Sequence, residues 1–511
     1  MMSSEKSNTK RIAKNTLMLY FRQILIMLVS LYTVRVVLNV LGAEDYGIYN
    51  VVAGVVTMFS FLSGAMATAS QRYFSFDLGK KDPEHLKTTF SVTFQIYVLL
   101  AFVVILLAET VGLWFVNHKL VIPTERMIAA NWIFQAAIIS FLLTLITTPY
   151  MACIIAHENM NVYAYVSIIE VGLKLGIVFL LKILSYDKLI VYGFLLASVS
   201  IINTAIYRFY CHKHYVECKF RFIKDGALFK EIVSYSGWNL FGSLSTMIRN
   251  QGLTILINLF FGPLVNAARA VSSQVNSAIL SFAQNFSTAL RPQIIKSYAA
   301  NKKTEMIHML MYGTKIVFFL MLMICVPLFF ETSYLMQLWL KDVPEHTVMF
   351  VRLVIIDVLI DSISYPLMSV VQATGKIKLY QTVVGGILIM NLPISCLFLH
   401  FGFASEIVFV IAIVLSLIAL FSRIIIAQKL IEFNLLFPFI KLLFHFVLIT
   451  IVTILLPVLT SHKNENDFFS FILYSFIYLI WCGFVEIFIG FNREEQKKIF
   501  TYLKQGKIYG K

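Results

Sequence analysis

Two stretches of the chain align with each other over their whole length. GAEDYGIYNVVAGVVTMFSFLSGAMATASQRYFSFDLGKK occupies residues 42–81, and GPLVNAARAVSSQVNSAILSFAQNFSTALRPQIIKSYAAN occupies residues 262–301. Each begins with a Gly in a short turn, continues through an apolar run rich in small and polar residues, and ends in a polar connection. They align without gaps at an offset of 220 residues, and such self-similarity indicates an internal repeat.

A second match further along the chain supports the repeat. Residues 149–151 and Tyr163 align with residues 366–368 and Tyr380 at an offset of 217 residues. Six predicted helices separate equivalent positions, and because six is an even number, both halves should cross the membrane in the same direction. Parallel repeats of this kind are typical of secondary transporters. The alternative is that apolar helices resemble one another through composition alone.

The composition is that of a membrane protein. Of the 511 residues, 59% are hydrophobic and 14% are charged, and the mean hydropathy is +0.81. Soluble domains, by contrast, are about 25% charged. A membrane-spanning helix takes about 20 apolar residues, so the chain has room for about fourteen helices and for no large soluble domain. The net charge of +15 lies in the connections, where it indicates membrane topology rather than nucleic-acid binding.

The apolar runs predict an all-α integral membrane fold of about fourteen transmembrane helices. Helices 1–6 form an N-lobe (1–215), a cytoplasmic linker follows (216–234), and helices 7–12 form a C-lobe (235–431). Two extra C-terminal helices (432–490) precede a basic cytoplasmic tail (491–511). The predicted helices lie at 15–41, 47–78, 88–116, 124–156, 160–184, 188–211, 235–261, 265–296, 304–331, 345–373, 377–401, 405–431, 437–460 and 467–490.

Basic residues are concentrated on one side of the predicted membrane. If the N-terminus is cytoplasmic, that side holds most of the Lys and Arg of the connections, among them Lys80, Lys81, Lys302 and Lys303. This is the positive-inside pattern, which predicts that both termini are cytoplasmic.

The six cysteines predict no disulfide framework. Cys211, His212, His214 and Cys218 lie close together in the sequence, but their spacing matches no standard zinc pattern. A plain cytoplasmic loop is the preferred interpretation, and no metal or cofactor is expected.

Five arginines lie within the predicted helices. Each Arg at the centre of a membrane helix costs roughly 2.5–3.5 kcal/mol, so most should face water or a partner. Those near helix ends could extend to the interface, and the alternative for each is a pair with an internal carboxylate. Polar side chains also recur at helical spacing along helix 8 and form one stripe. The arginines are Arg22, Arg35, Arg249, Arg269 and Arg291, and the stripe is Gln274, Ser277, Ser281, Gln284, Thr288 and Arg291.

Two pairs of charged residues are candidates for ion coupling. Asp357 and Asp361 are four residues apart on helix 10, and two acids at this spacing repel unless one binds a proton or a cation. Glu170 and Lys174 on helix 5 have the order that favours a salt bridge, so mutual neutralisation is the preferred interpretation there.

The stretch LGAEDYGIYN at residues 41–50 resembles the LG-x-x-x-[YF]G-x-[YW] turn of polysaccharide exporters and Wzx-type flippases in the multidrug/oligosaccharidyl-lipid/polysaccharide (MOP) superfamily. The resemblance covers nearly the whole chain. It implies two parallel six-helix lobes around a central cavity, alternating access, and export of undecaprenyl-diphosphate-linked oligosaccharide across the bacterial inner membrane. Since Arg can bind phosphate bidentately, the candidates for substrate contact are, in order, Arg22 and Arg249, then Arg35 and Arg269, with Arg291, Gln274 and Gln284 on the polar stripe.

Other functions fit the residues less well. The longest connections are short and basic and lack a nucleophile with its base, which argues against a membrane glycan polymerase or glycosyltransferase. No phosphate-binding loop for ATP is present in the sequence. A cation-coupled multidrug antiporter of the same superfamily is the closest alternative, although such antiporters usually have twelve helices. The expected partners of a flippase are the lipid-linked oligosaccharide, the membrane, a polysaccharide polymerase and glycosyltransferases.

Overall fold

A computed structural model describes residues 2–120, 122–184, 186–340, 342–460 and 467–497. Over these residues the regular elements are helices and no β-strand occurs, so the predicted all-α fold is confirmed. Residues 498–511 of the predicted tail lie outside the described residues. The helices are α1 (Met2–Thr57), α2 (Ser60–Lys80), α3 (Pro83–Leu107), α4 (Leu113–His118), α5 (Met127–Ala156), α6 (Met160–Ile183), α7 (Lys188–His214), α8 (Gly226–Ala299), α9 (Lys303–Phe330), α10 (Thr332–Trp339), α11 (Thr347–Thr374), α12 (Lys378–Ile389), α13 (Asn391–His400), α14 (Ile407–Ile431), α15 (Leu436–Thr460) and α16 (Phe468–Val485).

The helices α1 and α8 are too long to cross a membrane once. The 74 residues of α8 would extend about 110 Å at 1.5 Å per residue, against a hydrocarbon core of about 30 Å. Each helix is interrupted at one glycine: Gly42 has φ 82° and ψ 167°, and Gly262 has φ 77° and ψ −174°. These backbone angles are essentially restricted to Gly. Each long helix therefore breaks in the turn that the sequence predicts between two consecutive spans.

The backbone repeats where the two halves of the sequence align. The two interrupting glycines are 220 residues apart, and Lys81 and Asn301, at the same offset, have φ 58° and 57°. Glu158 and Gly375, at the offset of 217, have φ 63° and 76°. Positive φ is uncommon outside Gly, so agreement at three aligned positions favours the internal repeat over chance similarity of composition.

The membrane-spanning character of the chain is clear from its helices. Among the described residues, ten helices are long and apolar enough to cross a membrane, or eleven when the pair Glu44–Thr57 and Ser60–Lys80, bent by 44°, is included. The count treats all of α8 as one helix, although Gly262 divides it. It leaves out α6 and α11, which carry charged residues inside their predicted spans. All fourteen predicted runs lie on helical segments of the structure.

The chain folds into two compact units. Unit 1 comprises Met1–Leu244 and Asn285–Met306, and unit 2 comprises Ser245–Gln284 and Ile307–Lys511. Two of the three divisions fall inside α8 and the third falls inside α9, whereas the sequence placed the boundary in the connection before α8. Packing in unit 1 runs mainly between α5 and α7, α1 and α6, and α2 and α5, and packing in unit 2 between α11 and α14. The predicted lobes at 1–215 and 235–431 remain a prediction.

Three of the helices begin at an aspartate whose side chain caps them. Asp82, Asp187 and Asp225 each accept hydrogen bonds from backbone N–H groups in the first turn of α3, α7 and α8. A cap of this kind satisfies N–H groups that have no partner within the helix. The caps fix where α7 begins and so set the register of the side chains that it contributes to the cavity described below.

Candidate functional site

A polar cavity of about 500 Å³ lies within unit 1. It is formed by α1, α5, α6 and α7, with one residue from α2. Its volume falls in the range of pockets that bind small molecules. The residues that line it are Arg22, Ile26, Ser30, Thr33, Ser63, Thr144, Thr147, Thr148, Met151, Tyr163, Ser167, Glu170, Val171, Lys174, Ser200, Asn203, Thr204 and Tyr207.

Each of the four main helices contributes residues at helical spacing. On α6 the polar lining residues are Tyr163, Ser167, Glu170 and Lys174, which follow one another by four, three and four positions. Side chains three and four residues apart lie on the same face of a helix. The cavity is therefore formed where the polar faces of four helices meet, although the rest of these helices is mostly apolar.

Arg22 supplies the cavity with a cation that is incompletely paired. Its guanidinium carbon lies 4.4 Å from the centroid of the Tyr163 ring, an arrangement that favours a positive charge. The Nε and Nη1 atoms of Arg22 are buried and have no hydrogen-bond partner among the described residues. Leaving such donors unsatisfied costs about 1–3 kcal/mol or more for a charged group, so an anionic ligand would gain by accepting from them.

The second cation of the cavity is held by a carboxylate. Lys174 Nζ lies 2.6 Å from Glu170 Oε1, which is the predicted salt bridge within α6. Asn203 of α7 donates from Nδ2 to the other oxygen of Glu170 at 3.1 Å. Because both carboxylate oxygens are occupied, Glu170 acts here as an internal counter-charge, while Oδ1 of Asn203 has no hydrogen-bond partner among the described residues.

The hydroxyl groups of the cavity mostly donate to the backbone of their own helix. Thr33, Thr144 and Ser167 each donate to the carbonyl four residues earlier, at 2.7 to 2.9 Å. Thr147 donates to the Leu143 carbonyl at 2.7 Å and lies 2.8 Å from Thr204 Oγ1. A hydroxyl that donates in this way keeps lone pairs free to accept. The cavity therefore combines cationic donors at one residue with many neutral acceptors.

The acidic pair of unit 2 is divided between two arginines. Arg249 Nη2 lies 3.0 Å from Asp357 Oδ2, and these side chains are 11% and 16% exposed. Arg423 Nη1 lies 3.8 Å from Asp361 Oδ1 and donates to Ser364 Oγ at 2.8 Å. The structure thus places Arg249 in the arrangement that the sequence left as an alternative, a pair with an internal carboxylate.

Comparison with known families agrees with a transport function. Residues 12–300 match the model of a family described as polysaccharide biosynthesis protein. The chain belongs to this polysaccharide biosynthesis family. Residues 240–397 also match the MatE family model. No curated protein sequence matches it.

Members of the MOP superfamily with solved structures share the fold of this polysaccharide biosynthesis family protein. An outward-facing multidrug resistance MATE family transporter is 12% identical with a TM-score of 0.74, over 83% of this chain and 96% of that one. A MOP superfamily transporter from Pyrococcus furiosus is 11% identical with a TM-score of 0.69, over 82% and 96%. A Vibrio cholerae MATE transporter is 17% identical with a TM-score of 0.65, over 85% and 100%. At these identities the likeness shows a shared fold.

The remaining predicted residues of this family member are dispersed. Arg35 is exposed on α1 and does not line the cavity. Arg269 is buried in unit 2, with its guanidinium carbon 5.3 Å from the centroid of an aromatic ring. Arg291 belongs to unit 1 and donates to a glutamine oxygen at 3.3 Å. Gln274 and Gln284 are exposed in unit 2, and the polar stripe of α8 is therefore shared between the units.

Two groups of residues were not predicted from the sequence: the side chains that α7 contributes to the cavity, and a charged cluster just after the end of α5. Ser200, Asn203, Thr204 and Tyr207 follow the spacing i, i+3, i+4, i+7, a stripe that could have been read as a polar face. Glu158, with its side chain 1% exposed, lies 2.7 Å from Arg11 Nε and 2.6 Å from Lys296 Nζ. Arg11 and Lys296 are far from Glu158 in the sequence, so no local sequence pattern predicts this cluster.

Proposed function

We propose that this MOP superfamily transporter moves an undecaprenyl-diphosphate-linked oligosaccharide across the bacterial inner membrane by alternating access. The observation that carries the proposal is the cavity of unit 1, which is lined by many Ser and Thr residues and by Arg22, two of whose nitrogens have no hydrogen-bond partner among the described residues. The match to the polysaccharide biosynthesis family over residues 12–300 supports the same substrate class.

The chemistry of the cavity suits both parts of such a substrate. A diphosphate presents acceptors, and a unit charge opposite Arg22 at 4 Å contributes about 4 kcal/mol at an effective dielectric constant of 20. Sugar hydroxyls can donate, and they would find acceptors in the Ser and Thr oxygens and in Oδ1 of Asn203. A charged donor beside neutral acceptors is what a glycan attached to a phosphate requires.

The coupling step belongs, in this proposal, to Asp357 and Asp361 of unit 2. Oδ1 of Asp357 is buried and has no hydrogen-bond partner among the described residues, while Oδ2 is held by Arg249. A proton or a metal cation that binds Asp357 would compete with Arg249 and alter the contact between α8 and α11. A salt bridge that a cation can displace is a two-state element of the kind that alternating access needs.

The proposal includes an orientation and partners. The positive-inside pattern of the basic connections favours cytoplasmic termini. Glycosyltransferases would assemble the substrate on that side, and a polysaccharide polymerase would receive the product on the other side. Neither partner is required for binding in the cavity, so transport can be tested with the purified chain alone.

The test is lipid translocation in proteoliposomes that contain a fluorescent undecaprenyl-diphosphate-linked oligosaccharide and an external quencher that cannot cross the membrane. Loss of hydrogen bonds to a charged group, at about 1.5–3 kcal/mol, should make Arg22→Gln at least about tenfold slower, and Arg22→Lys should retain part of the rate. Lys182→Gln, at an exposed cation of α6 outside the cavity, is the matched control. Translocation by folded Arg22→Gln at the unmodified rate would overturn the proposal.

A cation-coupled multidrug antiporter is the second candidate, favoured by the MatE match over residues 240–397 and by the fold of the solved MATE transporters. The cavity of unit 1 argues against a cationic drug there, since Glu170 is occupied by Lys174 and Asn203. Ethidium efflux from cells that lack their own drug pumps tests this function. Efflux that depends on the protein, together with no lipid translocation, would establish the antiporter instead.

A further inference from the structure

Three cysteines, a histidine and a glutamate meet at one end of unit 1, outside the cavity. Cys153 lies near the end of α5, and Cys211 lies in the last turn of α7. Cys218 and Glu217 lie in the short 3-10 turn that follows α7, and His157 is the residue that ends α5. All three thiols are buried, with exposures of 0 to 1%, in a part of the molecule where the other core side chains are apolar or aromatic.

The ligand atoms of Cys153, His157 and Glu217 are close enough to share one metal ion, and the Cys218 sulfur lies beside that of Cys153. The sulfurs of Cys153 and Cys218 are 3.5 Å apart, and the Cys153 sulfur is 3.7 Å from Glu217 Oε1. Zinc bonds of about 2.3 Å to sulfur and about 2.1 Å to oxygen, at the tetrahedral angle, require separations of about 3.8 and about 3.6 Å. Ligand atoms of Cys153, His157 and Glu217 all lie within 4.8 Å of one another.

We infer that Cys153, Cys218, His157 and Glu217 form a binding site for a zinc-like divalent cation. Two thiolates, an imidazole and a carboxylate are a tetrahedral donor set suited to Zn²⁺, which is borderline soft. Binding converts two thiols to thiolates and releases two protons, so the metal and its four ligands carry a net charge of −1. His157 Nε2 lies 2.5 Å from Glu217 Oε1, and this distance would open by about 1 Å when both groups coordinate one metal ion.

The surroundings hold the ligands in place. The imidazole of His157 stacks on the ring of Tyr215, with centroids 4.2 Å apart and planes 13° apart, which fixes the ring orientation. Asn159 donates to the Tyr215 hydroxyl at 2.5 Å. Cys211 contacts Cys218 as a third sulfur next to the ligands. A metal here would tie the end of α5 to the connection between α7 and α8, a cross-link that secondary structure does not supply.

This site differs from the one that the sequence suggested and set aside. Cys211, His212, His214 and Cys218 are neighbours in sequence, but His214 Nδ1 contacts the Tyr210 carbonyl at 2.9 Å, and His212 faces the ring of Tyr150. The inferred site contains His157 and Glu217 instead of His212 and His214, and α5 contributes Cys153 to it. No sequence spacing could show this, because α5 and the 3-10 turn are separated by two helices.

The experiment is metal analysis of the full chain purified in detergent, without chelator and with reductant kept low. About one zinc per chain is expected, to be displaced by a chelator and restored on adding Zn²⁺. Addition of Co²⁺ to the stripped protein should give the thiolate-to-cobalt charge-transfer and tetrahedral absorption bands. Cys153→Ser and Cys218→Ser should each lose the metal, whereas Cys325→Ser, a buried thiol of α9 in unit 2, should keep it.

Two results would overturn the inference. One is a stripped wild-type protein that takes up neither Zn²⁺ nor Co²⁺ while its thiols remain free. The other is a Cys153–Cys218 disulfide in protein from growing cells, found by peptide mapping without reduction. The wild-type titration needs no substitution, so poor folding of a Cys variant does not obscure the answer.

Discussion

Arg22 and Arg249 carry the same charge at membrane depth but have different surroundings. Arg22 faces an aromatic ring and hydroxyl groups, with two of its nitrogens lacking hydrogen-bond partners among the described residues. Arg249 is paired with a carboxylate at 3.0 Å. Insertion cost alone does not distinguish the two, since it is the same for each. The surroundings distinguish the two arginines. They make Arg22 the better candidate for binding the substrate and Arg249 the better candidate for a role in conformational change.

The pair Arg249–Asp357 provides a test at the level of single residues. Removing one member of a buried pair leaves an uncompensated charge and costs about 3–5 kcal/mol, with the lower end expected here because both side chains are slightly exposed. Arg249→Gln and Asp357→Asn should therefore each lower the thermal unfolding temperature in detergent. The double variant should recover part of the loss, because no unpaired charge remains.

The same variants examine the coupling step. Asp357→Asn should abolish the dependence of translocation on an ion gradient in proteoliposomes, since it removes the group that binds the proton or cation. The matched pair Lys87 and Glu84 is an exposed ion pair of α3, and Glu84→Gln should change neither property measurably. Strictly additive losses in the double variant, or gradient-driven transport by Asp357→Asn, would exclude the role assigned to the pair.

At the scale of elements, the interruptions of α1 and α8 are set by backbone conformation rather than by space. A Cβ atom placed on Gly42 or on Gly262 would meet no atom within 4 Å. The φ and ψ angles of both residues nevertheless lie in a region that is essentially reserved for Gly. The Gly at the start of each of the two aligned stretches is therefore required by the backbone conformation at that position.

Substitution of these glycines should be costly without any steric clash. Gly42→Ala and Gly262→Ala should each reduce stability by about 1–3 kcal/mol, the usual cost of a strained backbone conformation. Lys81→Gly is the control, because Lys81 has φ 58° and Gly adopts that angle at no cost. Thermal unfolding measures both effects. An unchanged unfolding temperature in the two Ala variants would mean that the interruptions straighten or shift without penalty.

At the scale of the whole molecule, the sequence predicted what is local or periodic. Apolar runs give the helices, and the paired glycines, together with Lys81 and Asn301, give the repeat. It could not predict which polar faces meet, because the cavity joins α1 to α7 over nearly two hundred residues. In unit 2, the ion pair of Arg249 and Asp357 joins residues 108 positions apart. The sequence could not predict the metal ligands for the same reason, because they come together only after α5 and α7 pack side by side.

The orientation of the molecule in the membrane follows from charge and can be tested on the whole chain. The positive-inside pattern predicts that Lys81 is cytoplasmic and that the exposed Tyr186, in the connection between α6 and α7, lies on the opposite side of the membrane. With the exposed Cys396 first changed to Ser, a maleimide that cannot cross the membrane should label Tyr186→Cys in intact spheroplasts. It should label Lys81→Cys only after the membrane is opened. The reverse pattern would place the basic connections outside, and the substrate assembled in the cytoplasm would then meet the opposite face of the transporter.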